Sequence, residues 1–141
     1  MTPALERALN SNGESAYPEE GAGLLLGHVD GERRRAVELL AMPNRSPEAV
    51  RPRRYELDPR ELLDAEDDAD RRGLDVLGVY HSHPDHPARP SETDRSLALP
   101  WYVYVIVSVE RGRAVDRTAW RLADDRGRFE PVAIDVDSEG D

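Results

Sequence analysis

Three of the chain's four histidines fall in one stretch of fifteen residues, Tyr80 to Asp94 (YHSHPDHPARPSETD), together with three prolines and three carboxylates. His81 and His83 are two apart, so on a strand their side chains project to one face, as two ligands of one ion must. Asp94 follows eleven residues after His83, across a proline-rich loop able to fold its carboxylate back to the same point. Two histidines and one carboxylate leave a coordination position open, which is what separates a catalytic zinc site from a structural one. Zinc lowers the pKa of water in that position to about 7, so a nearby carboxylate can take the proton and leave a nucleophile at neutral pH. The same three ligands also form the facial triad of non-haem iron enzymes.

Two further roles have candidates. Glu19 or Glu20, just before an apolar run, is a carboxylate at the edge of apolar surroundings, where burial tunes a general base. Ser91, three residues before Asp94, has a hydroxyl to offer an oxyanion. Ser91 and Asp94 also make a capping box, the mark of a helix start with no chemistry in it; the two readings are compatible, since a helix N-terminus can hold Asp94 rigidly. Asp85 and His86 read as loop residues, and His28 as a strand-end residue.

The elements that must position these side chains are legible as periodicity. Thr2 caps a short helix opened by Pro3 and expected to end near Asn12-Gly13, with Leu5, Ala8 and Leu9 on one face. "GAGLLLGHV", Gly21 to Val29, is a buried strand, and Asp30-Gly31 turns it into "RRRAVELLAM". Residues 44–53 are a loop, "RYELD" a short strand, and Pro59 opens a helix that Gly73 closes. "DVLGVYHSH" is a strand with the histidines at its end. A helix from Ser91 to about Leu99 stops before Pro100, ahead of "WYVYVIVSV", the strongest strand signal, in which Trp101, Tyr102 and Tyr104 are expected as core and sheet residues. "DRTAWRLA" and "RFEPVAIDV" make a closing hairpin around "DDRG". Helices interleave with strands, so the class is α/β or α+β around a mainly mixed sheet. One domain over residues 1–136 and an acidic flexible tail over 137–141 are expected.

Composition narrows the chemistry. Cysteine is absent, so a metal must be held by His, Asp or Glu, and disulfides and cysteine nucleophiles are excluded. The net charge of -10 argues against a nucleic-acid partner, although all nineteen basic residues are arginine. No apolar run has the length of a membrane span and the N-terminus is unlike a signal peptide, so a cytoplasmic protein is expected.

"HSHPDHPARPSETD" resembles the signature of the JAMM/MPN+ (Mov34/MPN/PAD-1) metalloproteases: His-Ser-His-Pro, six residues, Ser, two residues, Asp, with a glutamate far upstream. "YPEEGAGLLLG" is similar to that family's Pro-x-Glu segment before an apolar strand, an alignment that selects Glu20 over Glu19. "YELDPRELL" and "PVAIDV" look most like the small stand-alone prokaryotic members. The resemblance implies a single-domain JAB1/MPN fold, similar to cytidine deaminases, with a curved mixed sheet flanked by helices. It implies Zn2+ held by His81, His83 and Asp94, with Glu20 activating water and Ser91 stabilising the tetrahedral intermediate. The implied substrate is the C-terminal glycine tail of a ubiquitin-like or sulfur-carrier protein. The similar prokaryotic members often carry cysteine where Ala22 stands. A catalytically silent MPN scaffold is the alternative; such modules usually lack a ligand, and this chain lacks none.

Overall fold

The computed structural model describes residues 1–138. Six strands form one mixed sheet: β1 (Ala22–Asp30), β2 (Arg33–Met42), β3 (Asp75–Pro84), β4 (Val103–Glu110), β5 (Arg113–Leu122) and β6 (Phe129–Val132). Their order across the sheet is β2-β1-β3-β4-β5-β6. Only β3 and β4 run parallel; every other pair is antiparallel. Three helices join them: α1 (Pro3–Ala16), α2 (Pro59–Arg71) and α3 (Glu92–Leu97), the last inside the parallel β3–β4 crossover. Register shifts at Leu26/Gly27, Leu25/Leu26 and Ser108/Val109 are bulges, which bend and twist the strands that carry them. Among the described residues no helix is long and apolar enough to cross a membrane.

Strand alternation divides the interior in two. Leu25, Tyr80, Val105, Val107 and Val109 pack with Leu5 and Leu9 of α1. Leu24, Leu26, Val79, Tyr104 and Leu122 pack with Ala65 and Ala69 of α2 on the other face. Both helices start on designed caps: Thr2 Oγ1 accepts from Leu5 N at 3.1 Å ahead of Pro3, and Asp58 accepts from Arg60 N at 2.7 Å ahead of Pro59. Truncating Leu9, fully buried, would cost about 2–5 kcal/mol as cavity plus lost transfer energy.

Three local expectations are corrected. First, α1 does not stop at Gly13 but runs to Ala16, because Gly13 lies flat on the sheet, where a Cβ would come 3.0 Å from Val109 Cγ2 and 3.3 Å from Ser82 Cβ. Second, "RYELD" has the alternation of a strand, with Tyr55 buried and Leu57 packed on the core, but among the described residues it pairs with no strand. Its backbone bonds go to a loop instead: Arg45 N to Glu56 O at 2.8 Å, and Glu56 N to Asn44 Oδ1 at 3.2 Å. Third, Trp101 is 52% exposed; it lies in the turn before β4, with the Arg34 guanidinium 4.5 Å above its ring. The helix expected from Ser91 is the six-residue α3, and α2 ends near Gly73 (φ 73°) as its sequence implies. Past Val132 the chain leaves the sheet. Asp137 N donates to Met1 O at 2.9 Å, and Arg35 pairs with Asp137 at 2.8 Å. The end of the acidic tail, residues 139–141, lies outside the described residues.

Candidate metal centre

Period-2 alternation puts Val79, His81 and His83 on the α2 face of β3, so the strand that builds the core also delivers both imidazoles to its C-terminal end. β1 runs antiparallel to β3 with Ala22 opposite His81, which brings Glu20, two residues before β1, to the same end. α3 supplies Asp94. His81, His83, Asp94 and Glu20 are all buried. Each offers one nitrogen or oxygen, and these four atoms lie within 4.8 Å of one another.

Three of the atoms form a nearly equilateral triangle. His81 Nε2 is 3.0 Å from His83 Nε2, and Asp94 Oδ2 is 3.2 Å from the first and 3.1 Å from the second. His83 Nδ1 faces Pro87 O at 2.9 Å. A carbonyl only accepts, so Nδ1 carries the proton and Nε2 can present a lone pair. Two imidazole nitrogens and a carboxylate oxygen thus converge on one spot, where protons on the nitrogens or a shared cation must hold them together. Bonds of 2.0–2.1 Å in a tetrahedral zinc shell imply ligand-to-ligand edges of about 3.3 Å, close to the triangle seen. Glu20 Oε1, buried and without a hydrogen-bond partner among the described residues, is the further polar atom such an ion and its water would satisfy. The residues fit a divalent metal.

Electrostatics separates the carboxylates. Burial pushes both up, but for Asp94 hydrogen bonds to His81 and His83, with Ser91 N behind them, outweigh it and hold the carboxyl well below the usual range. Glu20 has no such donors; burial, only partly offset by His83 and reinforced by Asp94, pushes it up to about 8. One carboxylate stays an anion, able to serve as a ligand, while the other is poised to exchange a proton near neutrality. Burial lowers His81 despite Asp94, whereas for His83 the bonds to Asp94 and Pro87 overcome burial and raise it.

Both readings of Ser91 and Asp94 hold at once. Ser91 Oγ accepts from Asp94 N at 3.0 Å, and Asp94 Oδ2, the oxygen facing the imidazoles, accepts from Ser91 N at 2.8 Å. Because Ser91 Oγ only accepts in this cap, its own hydrogen is left to donate, and the residue is exposed at the edge of the centre. The connecting loop is held by its carbonyls: His86 O by Ser108 Oγ at 2.6 Å, Pro87 O by His83, and Ala88 O by Thr118 Oγ1 at 2.5 Å. The Asp85 and His86 side chains stay outside the cluster; Asp85 accepts from Tyr17 OH at 2.6 Å and Arg111 N at 2.8 Å. His28 is exposed at the far end of β1.

Two contributors escaped the sequence reading. Tyr55 stacks on His81 with ring centroids 4.4 Å apart and planes 21° apart. Ser82, between the two histidines, accepts from Gly21 N at 2.7 Å and donates its own N–H to Gly21 O at 3.0 Å, fixing the peptide that follows Glu20. Period-2 alternation turns Ser82 to the face opposite the two histidines, and no local signal marked Tyr55.

The fold, a six-stranded mixed sheet with helices packed on it, is that of JAB1/MPN domains. A JAB1/MPN domain protein from Archaeoglobus fulgidus superposes with a TM-score of 0.62 over 97% of this chain and 94% of its own, at 22% identity. The chain belongs to the prokaryotic homologs of the JAB domain, whose family model matches residues 2–123. A protein of known solution structure from Salinibacter ruber is 46% identical, with a TM-score of 0.75 over 99% of this chain and 92% of that one. A desampylase of Haloferax volcanii is 38% identical over 119 residues, 84% of this chain and 80% of that protein. A probable TtuB-protein conjugate cleaving protease of Thermus thermophilus is 38% identical over 97 residues, 69% of this chain and 61% of that protein.

Proposed function

We propose that this protein is a zinc-dependent metallopeptidase that cuts the amide bond after the C-terminal glycine tail of a ubiquitin-like or sulfur-carrier protein. The observation that carries the reading is the convergence of His81 Nε2, His83 Nε2 and Asp94 Oδ2 at 3.0–3.2 Å from one another with Glu20 beside them. The names of the relatives, a desampylase and a conjugate cleaving protease, support the substrate class.

His81, His83 and Asp94 would hold the zinc. When bound, zinc supplies Lewis acidity, polarising the scissile carbonyl and acidifying water. Glu20 takes the proton from the attacking water through its partnerless Oε1. As the new carbon–oxygen bond forms, the Ser91 hydroxyl donates to the carbonyl oxygen as charge develops there. Glu20 then passes its proton to the amide nitrogen, so that the carbon–nitrogen bond breaks with a neutral amine leaving and a carboxylic acid on the glycine, whose proton goes to that amine to give the carboxylate and ammonium products. His83 holds its tautomer through Pro87 O throughout.

The test is incubation of the purified protein with carrier proteins bearing a C-terminal extension, read by mass spectrometry. Cleavage after the terminal glycine, lost on chelation and restored by zinc, is expected. Intact carriers across the set, in a sample shown to hold one zinc per chain, would sink the assignment.

A further inference from the structure

The backbone of Glu20 is held from both sides by one loop, the residues between β2 and α2. Glu20 N donates to Arg51 O at 2.8 Å, and Glu20 O accepts from Asn44 Nδ2 at 3.1 Å. The rest of the Asn44 amide is spent inside the loop. Its Nδ2 also donates to Arg54 O at 3.0 Å, and its Oδ1 accepts from Ser46 N at 3.0 Å and Glu56 N at 3.2 Å. A side-chain amide offers two donor hydrogens and two acceptor lone pairs, so every one is used.

Two of those bonds, to Arg54 O and Glu56 N, bracket Tyr55, the ring stacked on His81. One side chain therefore fixes both the peptide that carries Glu20 and the ring that backs a ligand imidazole. The loop has further anchors: Arg45 makes a two-pronged pair with Glu61 of α2 at 2.8 and 2.9 Å, and Arg51 Nε donates to Ser46 O at 2.9 Å. Among the described residues, Asn44 alone joins the loop's interior to Glu20 O by a side chain.

We infer that Asn44 is a positioning residue for the hydrolytic centre, acting through Glu20 and Tyr55 without touching substrate or metal. The inference rests on the reading of Glu20 as proton acceptor. Misplacing a reacting group by about 1 Å costs on the order of a hundredfold in rate, and a loop hinged at one amide is where such a displacement starts. Asp cannot replace Asn here. It keeps the two acceptor bonds but turns both donor bonds into a carboxylate facing the carbonyls of Glu20 and Arg54.

The test compares Asn44→Asp and Asn44→Ala with the parent, at equal zinc content. Carrier cleavage should show kcat per bound zinc down tenfold or more with KM within twofold; counting only zinc-loaded molecules removes loss of folded protein, which by itself would lower the apparent kcat at unchanged KM. On chelator-treated samples, amide hydrogen exchange at Glu20, whose N–H is bonded to Arg51 and not to Asn44, should quicken tenfold or more while Val105 to Val107 of β4 hold their rates. Should Asn44→Asp fail to fold, Asn44→Ala gives the same readings without the added charge. An unchanged Glu20 exchange rate, or an unchanged kcat per bound zinc, overturns the inference. If the parent cuts no carrier at all, the peptidase reading falls by itself and the exchange rates still judge Asn44.

Discussion

Replacing Glu20 by Gln should abolish cleavage and, unusually for a buried substitution, make the chelator-treated protein more stable. The magnitude follows from the raised carboxyl. In the folded protein burial pushes Glu20 to about 8, against an ordinary value of 4.5. Below pH 4.5 the carboxyl is protonated in both the folded and unfolded chain and contributes nothing. Between 4.5 and 8 unfolding releases a proton, so this residue drains stability as the pH rises, and above 8 the loss is complete. Each unit is worth about 1.4 kcal/mol, so at pH 7 the penalty is about 3 kcal/mol. Gln keeps the shape and never ionises. Urea unfolding of chelator-treated parent and variant at pH 5, 6 and 7 should give a gap that widens by about 1.4 kcal/mol per pH unit in favour of Gln. A gap independent of pH, or a variant less stable than the parent at pH 7, would refute the claim that burial holds Glu20 protonated while no metal is bound.

Other substitutions separate the parts of the centre. Ser91→Ala should retain zinc, lower kcat by about a hundredfold through the lost donor, and cost about 1 kcal/mol of stability through the lost cap, read by kinetics and urea unfolding of the same sample. Tyr55→Leu should weaken zinc binding by about tenfold in a competition titration against a chelator, because the ring that sets the plane of His81 is gone. Asp94→Asn should leave the zinc content near zero by elemental analysis. Gly78→Ala should fail to give folded protein by circular dichroism, since a Cβ there would lie 2.1 Å from Val103 O, inside the parallel pairing that delivers His81.

The residues of the candidate centre were legible because chemistry and strand geometry impose the same spacing on them. His81 and His83 needed only the period of a strand, and Ser91 with Asp94 needed only the grammar of a helix start. Glu20 was separable from Glu19 only by resemblance, because nothing local says which of two adjacent carboxylates turns inward; the structure buries Glu20. Tyr55 and Asn44 could not be read at all, since their roles depend on a loop folding back over β1 and β3. The "RYELD" segment shows why: its inward and outward alternation was right, but alternation reports burial and does not name the backbone partner. Trp101 failed for the opposite reason, as the strand it seems to open begins two residues later.

The way the segment between His83 and Ser91 is fastened bears on what this sequence can tolerate over time. Three consecutive carbonyls, those of residues 86 to 88, are gripped from β3, β4 and β5, and none of those grips involves a side chain of the segment itself. Substitution at His86 or Arg89 should therefore drift freely, whereas one inserted or deleted residue displaces the chain by about 3.5 Å, more than any edge of the His81–His83–Asp94 triangle. Length, rather than identity, is what this segment inherits.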